Sequence, residues 1–300
     1  MANSKPKESL RVLLSEIVDY AGLFPPSQLS MSEVVANYAG YKMGEYNWML
    51  GRFIVPVARL EEFADSGEKF FSSGAEVWKL SVLAGENIYG TISEIEDFNR
   101  EYAPFAACDA LEIKAETGAQ IEEFAELIPP HLKTYFEIPI GENLADLITT
   151  IAICGHCAKI RTGGITQTAF PNGAQITRFM RTCLAANVPF KATAGLHHPL
   201  RCEKSLTYEK DAETGMMHGF LNVFLAAAFL LRGFKPNALR ELMEDEESSG
   251  FQFEDNGVFW REEHFLSTAH LRILRAKGII SFGSCSFEEP IADLKEIDLL

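Results

Sequence analysis

Short apolar segments alternate with helically spaced stretches along most of this 300-residue chain, and that alternation restricts the folds open to it. The predicted strands are 52–57, 77–83, 110–114, 134–140, 158–162, 189–193, 216–221 and 279–283. Between them lie patterns such as Ile176, Phe179, Met180, Cys183 and Leu184, which line one face of a helix. Strands and helices alternating at intervals of about 30 residues build βαβ units and a parallel sheet. Eight such units suffice to close a barrel. An open doubly wound sheet competes with that reading, but no glycine-rich turn follows the first strand to make a dinucleotide site.

The beginning of the chain departs from this rhythm. Leu10, Leu13, Leu14, Ile17 and Val18 repeat at helical spacing until Pro25-Pro26 ends the pattern. A capping box, Ser30-Met31-Ser32-Glu33, then opens a second helix carrying Val34, Val35 and Tyr38. The rhythm breaks again after the seventh strand, with a charged helix near 238–247 and aromatic runs flanking Asn256-Gly257, a hairpin signal. A helix with Phe265, Leu266, Ala269, Leu271 and Leu274 follows. The expected fold is therefore α/β: a (β/α)8 TIM-type barrel over 51–300, with an N-terminal helical extension over 1–50 and an insertion at about 233–277, before the last strand.

Hydrophobic residues make up 47% of the chain and charged ones 23%, enough for a sizeable core and against global disorder. The net charge of −15 argues against nucleic acid or an anionic membrane as partner. The longest apolar run, 223–231, is too short to span a bilayer. Residues 1–7 lack the apolar core of a secretory leader, and the six scattered cysteines suit reduced thiols, so the expected location is cytoplasmic. Cys154-Gly155-His156-Cys157 has the spacing of a thiol oxidoreductase motif, but it follows a helix and precedes a strand, so the helix dipole is reversed and a structural role is expected. Phe259 and Trp260 fit either a homo-oligomer contact or the core.

Parity along the predicted strands separates two sets of side chains. Trp78, Leu80, Leu111, Ile113, Phe136, Ile138, Ile160 and Phe190 face outward beneath the helices, while Lys79, Glu112, Lys114, Glu137, Lys159, Arg161, Lys191 and His218 face the barrel axis. Five basic side chains against two carboxylates leave an excess of three positive charges before His218. Uncompensated buried charge is costly, so an anionic substrate, phosphate or carboxylate, is expected to complete the site. Arg161, Thr162, Gly163 and Gly164 offer a guanidinium fork and turn amides to such an anion. Thr193, His197, His198 and Arg201 follow at the next strand end, and His218, Asn222 and Ser284 complete the candidate substrate contacts. Ser284 belongs to the stretch 282–290, whose hydroxyls and amides suit a phosphate. Cys285 in that stretch has no histidine beside it in sequence and reads as a small buried residue.

Two lysines on adjacent strands suit imine chemistry, one reacting while the other disfavours its ammonium form. The segments Lys159-Ile160-Arg161-Thr162-Gly163-Gly164 and Lys191-Ala192-Thr193-Ala194-Gly195 resemble deoxyribose-phosphate aldolase-like class I aldolases, in which a Lys-Thr-x-Thr-Gly strand precedes a Lys-x-x-Gly-Gly strand. The resemblance covers about forty residues and departs from the family in two ways. The glycine doublet sits on the other strand, and the strand count above puts both lysines one strand early. It implies that Lys159 forms the imine, Lys191 perturbs it, and Glu112 or Glu137 moves protons, with Lys114 joining the catalytic set and no cofactor needed. Over most of its length, through 19–26, 48–52, 159–164, 190–201, 218–224 and 282–290, the chain also resembles a group of uncharacterised bacterial proteins, which implies a bacterial cytoplasmic protein but no reaction. Two other readings stand beside the lyase. One is a metal-dependent hydrolase using His197, His198 and His218 with Glu112 or Glu137. The other is a non-catalytic anion-binding barrel.

Overall fold

A computed structural model describes residues 5–71 and 76–300; the leader reading made on the first residues falls partly on 1–4, outside the described residues. Eight parallel strands close into a barrel wrapped by helices. Numbering barrel strands alone, these are β1 (Val18–Tyr20), β2 (Leu50–Pro56), β3 (Trp78–Leu83), β4 (Ala106–Lys114), β5 (Lys133–Glu137), β6 (Cys157–Arg161), β7 (Phe190–Thr193) and β8 (Ile279–Ser284). Each strand pairs with its neighbours in sequence order, and β1 closes the ring between β8 and β2 through Val18 opposite Phe282 and Val18 opposite Leu50. The (β/α)8 TIM-type architecture expected from the alternation is the one observed.

The identity of one strand differs from the sequence reading. Residues 216–221 do not enter the barrel: Thr214–Met217 pairs antiparallel with Cys202–Ser205, and Phe220–Leu231 is a helix. The missing barrel strand comes from the N-terminal stretch, as β1. Three residues cannot display a period of two, and Val18 continues the helical spacing before it. The helix Glu8–Leu14 ends four residues earlier than that pattern allowed, and Met31–Met43 follows with the expected capping box at Ser30 and Glu33. This shift moves the six strands from 52–57 to 189–193 forward by one and leaves the last in eighth place, so Lys159 and Lys191 lie on β6 and β7.

The core forms between barrel and helices. Trp78, Leu80, Leu111, Ile113, Phe136, Ile138, Ile160 and Phe190, the outward-parity set, are all buried there. The helix Phe220–Leu231 is apolar around nearly its whole circumference, so the barrel alone cannot cover it. The insertion supplies the second wall, with helix Pro236–Met243 and an antiparallel sheet of Phe251–Glu254, Gly257–Trp260 and His264–Ser267. The hairpin turns on Asp255-Asn256, one residue before the Asn-Gly pair, because Glu254 pairs with Gly257. Trp260 is buried in this wall and donates its indole N–H to Asp245 at 2.8 Å. Among the described residues no helix is long and apolar enough to cross a membrane.

Candidate active site

Side chains from β1 and β3–β8 meet inside the barrel near its C-terminal end, where such barrels place their chemistry. Lys159 donates to Glu112 at 2.6 Å and to Glu137 at 2.7 Å. Lys191 donates to the other Glu112 oxygen at 2.8 Å and to Asp19. Arg161 closes the far end on Glu137 at 3.3 Å. The result is an unbroken line of alternating charge: Asp19, Lys191, Glu112, Lys159, Glu137, Arg161. Ser81 donates to Glu112 at 2.7 Å and Ser281 to Asp19 at 2.7 Å, while the other Asp19 oxygen accepts the Arg52 amide at 2.8 Å.

Three carboxylates thus face three cations, and the line is neutral. The positive excess read from the sequence does not exist in the folded barrel. The third carboxylate, Asp19, comes from β1, which no periodicity marks as a strand. Lys79 reaches the opposite mouth and pairs with Glu16 at 3.1 Å, half in solvent, and Lys114 is exposed at the cavity rim. Local neutrality is what a buried set of charges requires, because their desolvation is repaid only by close, hydrogen-bonded opposite charges.

Position along this line sets the roles open to each group. Burial opposes ionisation of Glu112, but Lys159 and Lys191 outweigh it and hold the carboxyl well below the ordinary carboxylate range. Burial likewise disfavours the charged form of Lys191, yet Asp19 and Glu112 raise its pKa above the usual lysine value. Lys191 is 1% exposed, lies 5.3 Å from the Tyr135 ring and is held as an ammonium, a fixed charge and a poor nucleophile. Glu137 is also lowered, burial being overcome by Lys159 and Arg161, but it is more open, with 12% of its side chain exposed. Lys159 joins the buried Glu112 to the open Glu137, on the cavity wall.

The cavity above this line measures about 920 Å³, room for a small metabolite and part of its surroundings. Lys114, Lys159, Arg161, Lys191, Glu112, Glu137, Thr193, Gly164, His197 and His198 from the expected set all line it. Phe24, Pro25 and Pro26 from the loop after β1 form one side. Ser205, Leu206, Thr207, Tyr208 and Met217, from the antiparallel ribbon between β7 and the helix Phe220–Leu231, form the roof. The residue pattern gives Asp19 no charge-pairing role, although a lone aspartate inside the apolar run 17–20 is a visible signal.

Other expected contacts hold the site's frame. Thr162 donates its hydroxyl to the carbonyl of Ala194 at 2.5 Å, tying the loop after β6 to the loop after β7. Gly163 and Gly195 meet between those loops: a Cβ built on Gly195 would lie 2.8 Å from the Gly163 Cα and 2.9 Å from the Phe170 ring. Gly195 also has φ +75° and follows Ala194 at φ +60°, so the chain leaves β7 through a left-handed turn. Gly195→Ala should therefore cost about 2–4 kcal/mol through strain and overpacking combined. Chemical denaturation would measure it, and a loss below about 0.5 kcal/mol, the ordinary surface value, would show that the two loops do not need this contact.

Arg201 pairs with Glu246 of the insertion, and its amide donates to Asn222 at 3.0 Å. Asn222, fully buried, donates in turn to the carbonyls of Leu242 and Asp245 at 2.7 and 2.8 Å. His218 sits 2.7 Å from the carbonyl of Pro171, and burial lowers its pKa. Ser284 approaches His197 at 3.3 Å, and His198 pairs with Asp293 at 2.5 Å. The three histidines thus face different partners and do not converge with Glu112 or Glu137. Among the described residues no group of three or more His, Cys, Asp or Glu side chains is arranged to hold a metal ion. Cys154 ends the helix Leu144–Cys154 and Cys157 opens β6, with Gly155 left-handed between them, and burial raises both thiols. No protein-family model and no curated protein sequence matches this chain.

Proposed function

We propose that the protein is a lyase of the Schiff-base aldolase type, acting on a small carbonyl compound that carries a phosphate or carboxylate. The observation behind this reading is the placement of Lys159 on β6, on the cavity wall, within hydrogen-bond reach of two carboxylates and one strand away from a second lysine that remains charged. Proton loss from Lys159 to Glu137, the more open of its two carboxylates, leaves a neutral amine beside the cavity. That amine adds to the carbonyl carbon; a C–N bond forms, the carbonyl electron pair moves to oxygen, and that oxygen takes the proton the nitrogen gives up. Loss of water, with the proton that Glu137 took from Lys159, leaves the iminium, an electron sink for breaking the bond between the α and β carbons. The β-hydroxyl gives its proton to Glu137 as that bond breaks, the outer fragment leaves as an aldehyde, the bonding pair passes into the enamine, and hydrolysis of the iminium formed on its reprotonation restores Lys159. Lys191 stays out of the bond changes; with Lys159 it keeps Glu112 ionised and fixes the geometry.

Arg161, half exposed on the wall, and Lys114 at the rim, with Gly164 beside them, are positioned to receive the anionic end of the substrate. The shift of both lysines to β6 and β7 also removes one of the two departures from the class I aldolase pattern. Its other departure, the glycine doublet, remains: here it follows β6.

Borohydride reduction of the whole chain with 2-keto acids and phosphorylated aldehydes tests the reading. The expected result is a reduced adduct mapped to Lys159, suppressed by excess inorganic phosphate. No adduct on Lys159 or Lys191 across those compounds would overturn it, and phosphate binding without any adduct would favour a non-catalytic anion-binding barrel instead.

A further inference from the structure

A second group of reactive side chains lies on the same cavity, away from the lysine line. Cys285 follows β8 directly, and its sulfur stands 4.0 Å from Nδ1 of His197, in the loop after β7. That nitrogen also lies 3.2 Å from a Glu289 oxygen, at the start of the helix Glu288–Glu296. The other Glu289 oxygen accepts from the Tyr208 hydroxyl at 3.0 Å, and the same hydroxyl lies 3.8 Å from the sulfur. Ser27 donates to the Cys285 carbonyl at 3.2 Å, fixing the backbone that carries the thiol. Cys285, His197, Glu289 and Tyr208 all line the cavity. Side chains from two other loops, His197 and Tyr208, thus reach one sulfur, with Glu289 joining them to each other, an arrangement that core packing of a small residue does not require.

We propose that Cys285 is a nucleophilic thiolate, paired with the imidazolium of His197, that bonds reversibly to the carbonyl carbon of an aldehyde in the cavity. In this step the sulfur forms a C–S bond, the carbonyl π pair moves to oxygen, and that oxygen takes the proton from His197, giving a neutral hemithioacetal beside a neutral imidazole. The reverse proton transfer releases the aldehyde, and no oxidant or reductant takes part. Glu289 orients His197 and favours its protonated form, and Tyr208 orients Glu289. The electrostatics agree with the geometry. Burial opposes charge on both partners, but their mutual hydrogen bond and the nearby carboxylate lift His197 to about 9 and lower the Cys285 thiol below its ordinary value. The other five cysteines are shifted upward, with burial the first cause in each. The choice of an aldehyde rests on the carbonyl substrate proposed above; the thiolate does not.

Alkylation of the full chain with limiting iodoacetamide, followed by peptide mapping from about pH 5 to about pH 9, tests this. Cys285 should be labelled first, ahead of the more exposed Cys154 and Cys202, with a rate that levels off well below the ordinary thiol midpoint of about 8.5. His197→Gln should move that midpoint up by at least about one unit, slowing labelling near neutral pH about tenfold. Glu289→Gln should move it in the same direction, and serves if His197→Gln does not fold. Glycolaldehyde should protect Cys285 in the Lys159→Met variant as well as in the native chain. Slower labelling of Cys285 than of Cys154 or Cys202, or a rate that rises with pH as for a free thiol, would overturn the thiolate. Absence of protection by glycolaldehyde would overturn the covalent aldehyde site. A lysine that fails to trap substrate leaves these readouts untouched, so failure here and failure of the imine mechanism are distinguishable.

Discussion

Glu112→Gln should lower the stability of this protein by about 3–5 kcal/mol, the cost of removing one partner from a buried ion pair. Glu112 is 5% exposed and accepts from Lys159, Lys191 and Ser81 together. A neutral amide keeps the volume, but it brings a donor face to at least one ammonium and leaves two buried lysines short of negative charge. At roughly 2 °C per kcal/mol for a chain of this size, the unfolding midpoint should fall by about 6–10 °C. Lys114→Gln, at the exposed rim, should change stability by no more than about 0.5 kcal/mol. The same carboxylate gives the native protein an acid-side dependence of definite sign. Its pKa is lower folded than unfolded, so its pairing contributes fully above the unfolded value of about 4.3 and is lost as pH falls below it. In Glu112→Gln that part of the acid dependence should be missing. Denaturation of both forms at about pH 3 and about pH 7 reads both effects, and equal stability of variant and native protein at neutral pH would mean that the charge line is not closed as described.

Lys159→Met should abolish the borohydride-trapped adduct while leaving a folded barrel. Its loss removes the nucleophile of the proposed reaction, yet Glu112 keeps Lys191 and Glu137 keeps Arg161, so no buried carboxylate is stranded. Circular dichroism should report an unchanged fold. Glu137→Gln should act differently: Lys159 remains, but its proton acceptor is gone, and the rate of adduct formation should fall by about 10²–10⁴-fold, the usual worth of a positioned acid-base group. Single-turnover trapping separates the two. Undiminished adduct in Lys159→Met would move the chemistry to another amine, and an unchanged rate in Glu137→Gln would assign proton transfer elsewhere.

The amino-acid sequence by itself determined the barrel and most of the side chains inside it. Strands such as 158–161 and 190–193 alternate apolar and polar residues on a period of two, and helical spacing follows the first of them, so both the strand and its inward face are local properties of the chain. Glu112, Glu137, Lys159 and Lys191 were legible for that reason. What the tertiary structure alone decided was how those charges are balanced and which loops share a cavity. Val18-Asp19-Tyr20 is too short to show any period, and only ring closure between β8 and β2 makes it a strand and Asp19 a partner of Lys191. Lys79 and Lys114 have the same parity as Lys159, but depth along the barrel axis sends one to the opposite mouth and the other to the rim. Cys285 and His197 are 88 residues apart, and no local pattern records a contact made by two strands folding side by side. Periodicity is written into neighbouring residues; charge balance depends on distance in space, which the chain acquires only when the barrel closes.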